Sequence, residues 1–228
     1  MNTKIKVAIL EDHLSIIDGY LYRLGESEDI EVVGTAAFGE DLEPMLQSQP
    51  VDVLIMDINV PARPGNLSPF PVLHITRRII QDYPNLNILV ISILTQQTLI
   101  QALVELGISG YIFKQDGDSI RNLSKIVTMI ASNGIYFSQE AHEKLRLEKS
   151  SRASATLTAR QLEAITLCAA YPDFSTAEIA QKMEVASSTL RNLLSGAYLR
   201  LNVRTRAAAI ARLNQLGLTA MPSPNTGE

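Results

Sequence analysis

Val51-Asp52-Val53-Leu54-Ile55-Met56-Asp57 decides the fold. Its middle is a continuous apolar run with no polar alternation, which leaves no face for solvent. Such a run predicts a strand covered on both sides, as in a parallel sheet. Asp57 falls where that strand runs out into a loop. Open α/β sheets bind ligands at the carboxyl ends of their strands, so Asp57 is a candidate for chemical use. Taken alone, an Asp after a strand is more often a turn former or a helix cap. The residues around it decide between the two.

Working outward, Lys4–Leu10 predicts a buried strand that ends directly in Glu11-Asp12-His13. Leu14–Leu24 has apolar residues at helical spacing and stops at Gly25. Ile30–Ala37 predicts a second strand and Glu40–Gln47 a short helix. After Asp57 comes a loop rich in Pro, Gly, Asn and Ser, Pro61 to Pro71. Val72–Asp82 returns to helical spacing. Asn87–Ile93 predicts a fourth strand with Ser92 near its end, followed by a helix over Thr95–Leu106. Gly110–Lys114 predicts a short fifth strand ending in Lys114, and Ser119–Ser132 a helix closed by Asn133-Gly134. Strands alternating with helices through short connections predict a doubly wound, five-stranded parallel sheet. Glu11, Asp12, Asp57, Ser92 and Lys114 all fall at or just after strand ends, so they should converge on one edge of it.

The second part of the chain reads differently. Glu140–Lys149 is a charged helical stretch and Lys149–Ala155 a small, polar linker. Beyond it only helices are predicted, over Thr158–Ala170, Ser175–Met183, Ser187–Leu201 and Arg204–Leu216. Charge divides at the same place. Residues 1–151 hold 12 Lys/Arg and 19 Asp/Glu, and residues 152–228 hold 8 and 5, so an acidic part with balance −7 precedes a basic part with balance +3. That asymmetry suggests a second domain meeting a polyanion. The expected division is 1–137, a helical linker 138–155, a helical domain 156–218 and a disordered tail 219–228. No apolar run reaches the roughly 18 residues of a membrane span, and the start carries no signal-peptide pattern. One cysteine, Cys168, excludes an internal disulfide and a cysteine metal cluster; its apolar setting predicts a core residue. A cytoplasmic protein without membrane contact is the simplest account.

Three carboxylates at strand ends make a hard-oxygen site suited to Mg²⁺. With Lys114 as a point charge and Ser92 as a hydroxyl donor, Asp57 could serve as nucleophile and form an aspartyl-phosphate. Glu11-Asp12, Asp57, the Pro61 and Gly65 loop, Ser92 and Gly110-Tyr-Ile-Phe-Lys114 together resemble the receiver domain of bacterial response regulators, a flavodoxin-like fold, over residues 1 to about 137. The resemblance implies that Asp57 accepts phosphate from a sensor histidine kinase. It implies that Glu11, Asp12 and Asp57 hold Mg²⁺ with the backbone carbonyl of Asn59, and that Ser92 and Tyr111 form a switch pair. From Gly65 to Arg77 the chain is longer than the family pattern, and Asn66–Pro71 looks like an insertion beside Asp57.

In the basic part, a short helix, a turn after Met183-Glu-Val185 and a second helix opening at Ser187-Ser188-Thr189 can place that second helix in a major groove. Arg191 can contact a phosphate or read guanine, and Asn192 and Ser195 can reach base edges or phosphates. Leu157-Thr-Ala-Arg-Gln-Leu-Glu163, Glu178-Ile-Ala180, Thr189-Leu-Arg191 and Leu201-Asn-Val203 resemble the LuxR-type helix-turn-helix domain. With the receiver, the whole chain resembles the NarL/FixJ group of response regulators. Departures are Gln161 where Glu is usual, Ala186 where Ser is usual, Leu193 where His is common, Gly196 inside the second helix, and a slightly long loop at Tyr171–Phe174.

The expectation is therefore a response regulator, not an enzyme. Phosphorylation of Asp57 would control homodimerisation and sequence-specific binding to double-stranded DNA, and so transcription. The alternative is a protein-interaction regulator that acts through a partner regulator, with DNA binding auxiliary or independent of phosphorylation. A phosphatase-like enzyme ranks below both, because no substrate pocket is visible in the sequence.

Overall fold

The computed structural model describes residues 4–65, 70–147, 157–203 and 205–218. In chain order the elements are β1 (Ile5–Leu10), α1 (Leu14–Gly25), β2 (Ile30–Ala36), α2 (Leu42–Ser48), β3 (Val53–Met56), α3 (Val72–Asp82), β4 (Asn87–Ser92), α4 (Gln97–Leu106), β5 (Gly110–Phe113), α5 (Gly117–Arg121), α6 (Leu123–Ala131), β6 (Tyr136–Phe137), α7 (Gln139–Leu147), α8 (Ala159–Ala170), α9 (Thr176–Lys182), α10 (Ser187–Leu201) and α11 (Arg206–Gln215).

All strand pairs are parallel and the order is β2-β1-β3-β4-β5-β6. The chain runs one way from β1 to β2 and the other way from β3 onward, so the topological switch point lies between β1 and β3. Every residue of β3 is buried, as a strand covered on both faces requires. Leu54, Met56 and Val90 join one apolar layer with α2, α3 and α4. Val53, Ile55 and Leu89 join the other with α1 and α6. Between β1 and β2 the register shifts at Val7/Ala8, leaving Val33 unpaired in the ladder. Gln49 Nε2 donates to the carbonyl of Val33 at 2.7 Å, so the carbonyl freed by the bulge is satisfied.

Among the described residues the sheet has six strands, not five. The sixth, two residues long, pairs with Gly110 and Tyr111 of β5. Asn133 takes a left-handed φ of 61° at the end of α6, and the chain turns back alongside β5. Two residues are too short to show a period. The single helix expected over Ser119–Ser132 is two, broken at Asn122. Gly110 is where β6 comes closest: a Cβ there would lie 2.4 Å from the backbone oxygen of Tyr136. Gly110→Ala should therefore cost about 1–3 kcal/mol through forced backbone movement. Urea denaturation with an unchanged midpoint would refute this.

Of the insertion expected at Asn66–Pro71, residues 66–69 lie outside the described residues. Phe70 is buried and belongs to the apolar layer under α3. The linker region 148–155 and the tail 219–228 also lie outside the described residues.

The C-terminal helices pack on one another, and α8 also packs on α3 and α4. Leu162 and Ile165 of α8 share an apolar cluster with Leu73 and Ile79 of α3 and Leu99 and Leu103 of α4. A cleft of about 370 Å³ separates Arg63–Gly65 from Ala170–Phe174. The loop that follows β3 thus faces the loop that follows α8.

Candidate functional site

Backbone hydrogen bonds set the row of site residues. Glu11 N–H donates to Ala36 O at 2.9 Å, Asp57 N–H to Leu10 O at 2.8 Å and Lys114 N–H to Ser92 O at 3.0 Å. Each residue is the first beyond its strand, so the ladder that builds the sheet also aligns Glu11, Asp57 and Lys114 across it.

Their side chains meet. Lys114 Nζ lies 2.7 Å from Asp57 Oδ2 and 2.7 Å from Glu11 Oε2. The Asp57 and Glu11 side chains are 2% and 1% exposed and that of Lys114 is 11% exposed, so this is a dry cluster. Asp57 Oδ1 accepts the Asn59 N–H at 2.9 Å, which fixes the carboxylate plane and places the loop backbone beside it. Asp12 is more open. His13 Nδ1 lies 2.9 Å from Asp12 Oδ1 and 3.2 Å from Glu11 Oε1. His13 is not among the expected site residues; its adjacency to Glu11-Asp12 is the signal for this contact.

Burial raises the Glu11 pKa above the ordinary carboxylate value; Lys114 pulls it down and Asp57 pushes it up again. Burial alone would lower the Lys114 pKa, but Asp57 and Glu11 more than offset it, and the ammonium is held above its ordinary value. The lysine is therefore a fixed positive charge between two buried acids.

Ser92 and Tyr111 lie one and two strands away, and both bond to Leu94. Tyr111 Oη donates to the Leu94 carbonyl at 2.5 Å, and the Leu94 N–H donates to Ser92 Oγ at 3.4 Å. Burial, then the charge of Asp57, pushes the Tyr111 phenol far above its ordinary pKa, so it remains a donor. Its ring is fully buried and meets Phe113 edge-on at 5.4 Å.

In the C-terminal region, α8 and α9 each begin with a capping box, Thr158 with Gln161 and Ser175 with Glu178. Gln161 thus fills the capping role that Glu usually has. Its Oε1 also accepts from Arg200 at 2.9 Å. A Cβ at Gly196 would lie 2.6 Å from Gln161 Nε2, so these two departures from the family pattern fit each other. The α9–α10 turn passes through Glu184 at a left-handed φ of 54°. Ser187, Ser188, Thr189, Arg191, Asn192 and Ser195 all lie on α10. Thr189 is exposed; the side chains of the other five lie outside the described residues.

The profile of the response regulator receiver domain matches residues 7–127. The transcriptional regulatory protein MctR of Rhizobium johnstonii is 30% identical over 208 residues, 91% of this chain and 92% of MctR. The transcriptional regulatory protein DegU of Brevibacillus brevis is 26% identical, over 91% of this chain and 92% of DegU. Among solved structures, RcsB from Salmonella enterica serovar Typhimurium bound to promoter rprA superposes with a TM-score of 0.64 at 21% identity, over 93% of this chain and 99% of that one. At that identity the likeness is one of fold.

Proposed function

The chain belongs to the response regulator receiver family, in the NarL/FixJ arrangement of a receiver followed by a helix-turn-helix region, and from that premise we propose that phosphorylation of Asp57 by a sensor histidine kinase controls homodimerisation and sequence-specific binding to double-stranded DNA. The observation that carries the proposal is the Asp57 carboxylate, buried at the β1/β3 switch point with the Lys114 ammonium 2.7 Å away. In the transfer, an Asp57 oxygen attacks phosphorus, the P–N bond to the kinase histidine breaks, and the imidazole leaves and takes up a proton. Lys114 holds a phosphoryl oxygen as a point charge and Ser92 donates to another.

Glu11, Asp12 and Asp57 offer only hard oxygen donors, the kind Mg²⁺ prefers. Among the described residues Glu11 and Asp12 bring ligand atoms within 4.8 Å of one another together with His13, and Asp57 stands outside that group. Glu11, Asp12 and Asp57, with the backbone carbonyl of Asn59, would hold the ion. Bound there, the ion would neutralise the carboxylates and supply positive charge to the transferring group. Phosphorylation pulls Ser92 toward Asp57, and Tyr111 gives up Leu94 as the surface of the β4–α4 loop rearranges.

The receiver takes residues 1–137 and the DNA-binding domain 156–218. Ser187, Ser188, Thr189, Arg191, Asn192 and Ser195 on α10 form the DNA-contacting surface, and two copies present two such helices about one turn of DNA apart. A protein acting on genomic DNA works in the cytoplasm. Among the described residues, no helix is long and apolar enough to cross a membrane. MctR and DegU are regulators by name, and the chemistry proposed here ends at the chain's own aspartate, with no substrate turned over.

Incubation with acetyl phosphate and Mg²⁺ should add one phosphoryl mass to the wild type and none to Asp57→Ala. A gain that persists in Asp57→Ala would move the acceptor elsewhere.

A further inference from the structure

Where α8 meets the receiver, one acid is fully enclosed. The Glu163 side chain is 0% exposed although it is ionisable. Its partners come from both regions. Arg77 of α3 donates through Nε to Oε1 at 3.2 Å and Oε2 at 3.1 Å, and its Nη2 lies 3.0 Å from Oε2. Arg160, one turn earlier on α8, donates to Oε2 at 2.9 Å. His74, one turn before Arg77, brings Nδ1 to 3.6 Å from Oε1, outside hydrogen-bond reach. Burial pushes the Glu163 pKa up, but His74, Arg77 and Arg160 more than offset it and hold it below the ordinary carboxylate value. The acid is charged.

The apolar contact around it is non-directional and would tolerate several seatings of α8 on α3 and α4. A guanidinium fork on a carboxylate has one good geometry. Arg160 travels with Glu163 wherever α8 goes, whereas Arg77 belongs to the receiver. Among the described polar contacts of Glu163, those of Arg77 and His74 come from the receiver, and of these two only Arg77 is within hydrogen-bond reach.

We propose that Arg77 and Glu163 form a latch that holds the C-terminal helices against α3 in a single seating, so that Arg77 sets the balance between a closed and an open form of the chain. The latch rests on the division into receiver and output region proposed above, but on neither phosphorylation nor DNA binding. Its test uses neither, so a failed latch and a failed DNA-binding proposal give different results.

The experiment compares the full chain with Arg77→Ala, Arg77→Lys and Arg78→Ala. Arg78 is the control: it pairs with Glu43, within the receiver, at 2.8 Å. Small-angle scattering and amide hydrogen exchange are the readouts, with far-UV circular dichroism to confirm helicity. A closed chain of this length should have a radius of gyration of roughly 17 Å. Arg77→Ala should raise it by several ångströms and speed exchange in the first turns of α8 about tenfold. Arg78→Ala should do neither. Arg77→Lys keeps the charge and loses the fork, so it should fall between. Scattering and exchange of Arg77→Ala that match wild type would overturn the latch. If Arg77→Ala loses helical signal, Arg77→Lys decides: a shift toward the open form supports the latch, and a wild-type profile refutes it.

Discussion

Lys114→Ala should lower stability by roughly 3–5 kcal/mol at neutral pH, because it leaves two buried carboxylates facing each other with no counter-charge. Nζ is the group shared between Glu11 and Asp57, 2.7 Å from each. The effect has a pH signature. Glu11 has a raised pKa in the folded chain, so the fold binds its proton more tightly than the unfolded chain does. The Glu11 contribution to stability therefore falls as pH rises from the ordinary carboxylate value through the raised one. Losing Lys114 removes the charge that pulls Glu11 down, so the window widens upward. In the wild type the Lys114 contribution has the raised-pKa sign. It is complete below the ordinary lysine value and is lost only as pH rises through the folded value. Urea denaturation should thus show a large gap between wild type and variant at pH 7.5 and a smaller one at pH 5. A gap that does not change with pH would mean that carboxylate repulsion is not the cause. Phosphoryl uptake from acetyl phosphate should fall about 10²-fold, as when one positioned donor to a developing charge is removed.

Arg206→Ala is the second large effect. Arg206 donates to Phe174 O at 2.5 Å, Tyr171 O at 2.7 Å and Cys168 O at 3.0 Å. It closes the C-terminal end of α8 and holds the loop in which Tyr171 and Phe174 stack at 4.9 Å. Unsatisfied buried carbonyls cost about 1–3 kcal/mol each, and water can reach some of these. A total near 3 kcal/mol corresponds to a drop in Tm of roughly 6–12 °C for a chain of this size. Arg206→Lys should recover little, since one ammonium does not span three carbonyls as a planar fork does. If Arg206 serves DNA instead, the variant will keep its Tm and show a shallower salt dependence of DNA binding.

That case bears on what could be read before the structure was known. The sheet was legible because its strands are short, apolar runs ending in polar residues, and strand ends are where such sheets place their chemistry. Glu11, Asp57 and Lys114 therefore came from position alone. The basic balance of the second part was legible as a number but not as a surface. Arg160, Arg200 and Arg206 bond to other residues of the chain, so part of that charge is structural. The sixth strand is too short to carry a period, and at the break between α5 and α6 the Asn122 side chain donates to the Asp118 carbonyl at 2.9 Å, a bond that apolar spacing does not reveal. Residues 161–170 of α8 are all buried. A helix covered on every side signals a second neighbour, and Glu163 inside it marks where that neighbour brings a cation. Which cation could not be read, because Arg77 lies 86 positions away and only the docking of the two regions brings it near.

The apolar cluster that runs unbroken from α3 and α4 into α8 makes separation of the two regions a hydration event. Wetting apolar surface raises heat capacity by about 0.45 cal/K/mol for each Å² exposed. The free energy of release is therefore curved in temperature, with its maximum at one temperature and a decline on both warming and cooling. Whatever frees the C-terminal helices works against a resistance that changes with temperature, so the same input would free a different fraction of molecules at each growth temperature.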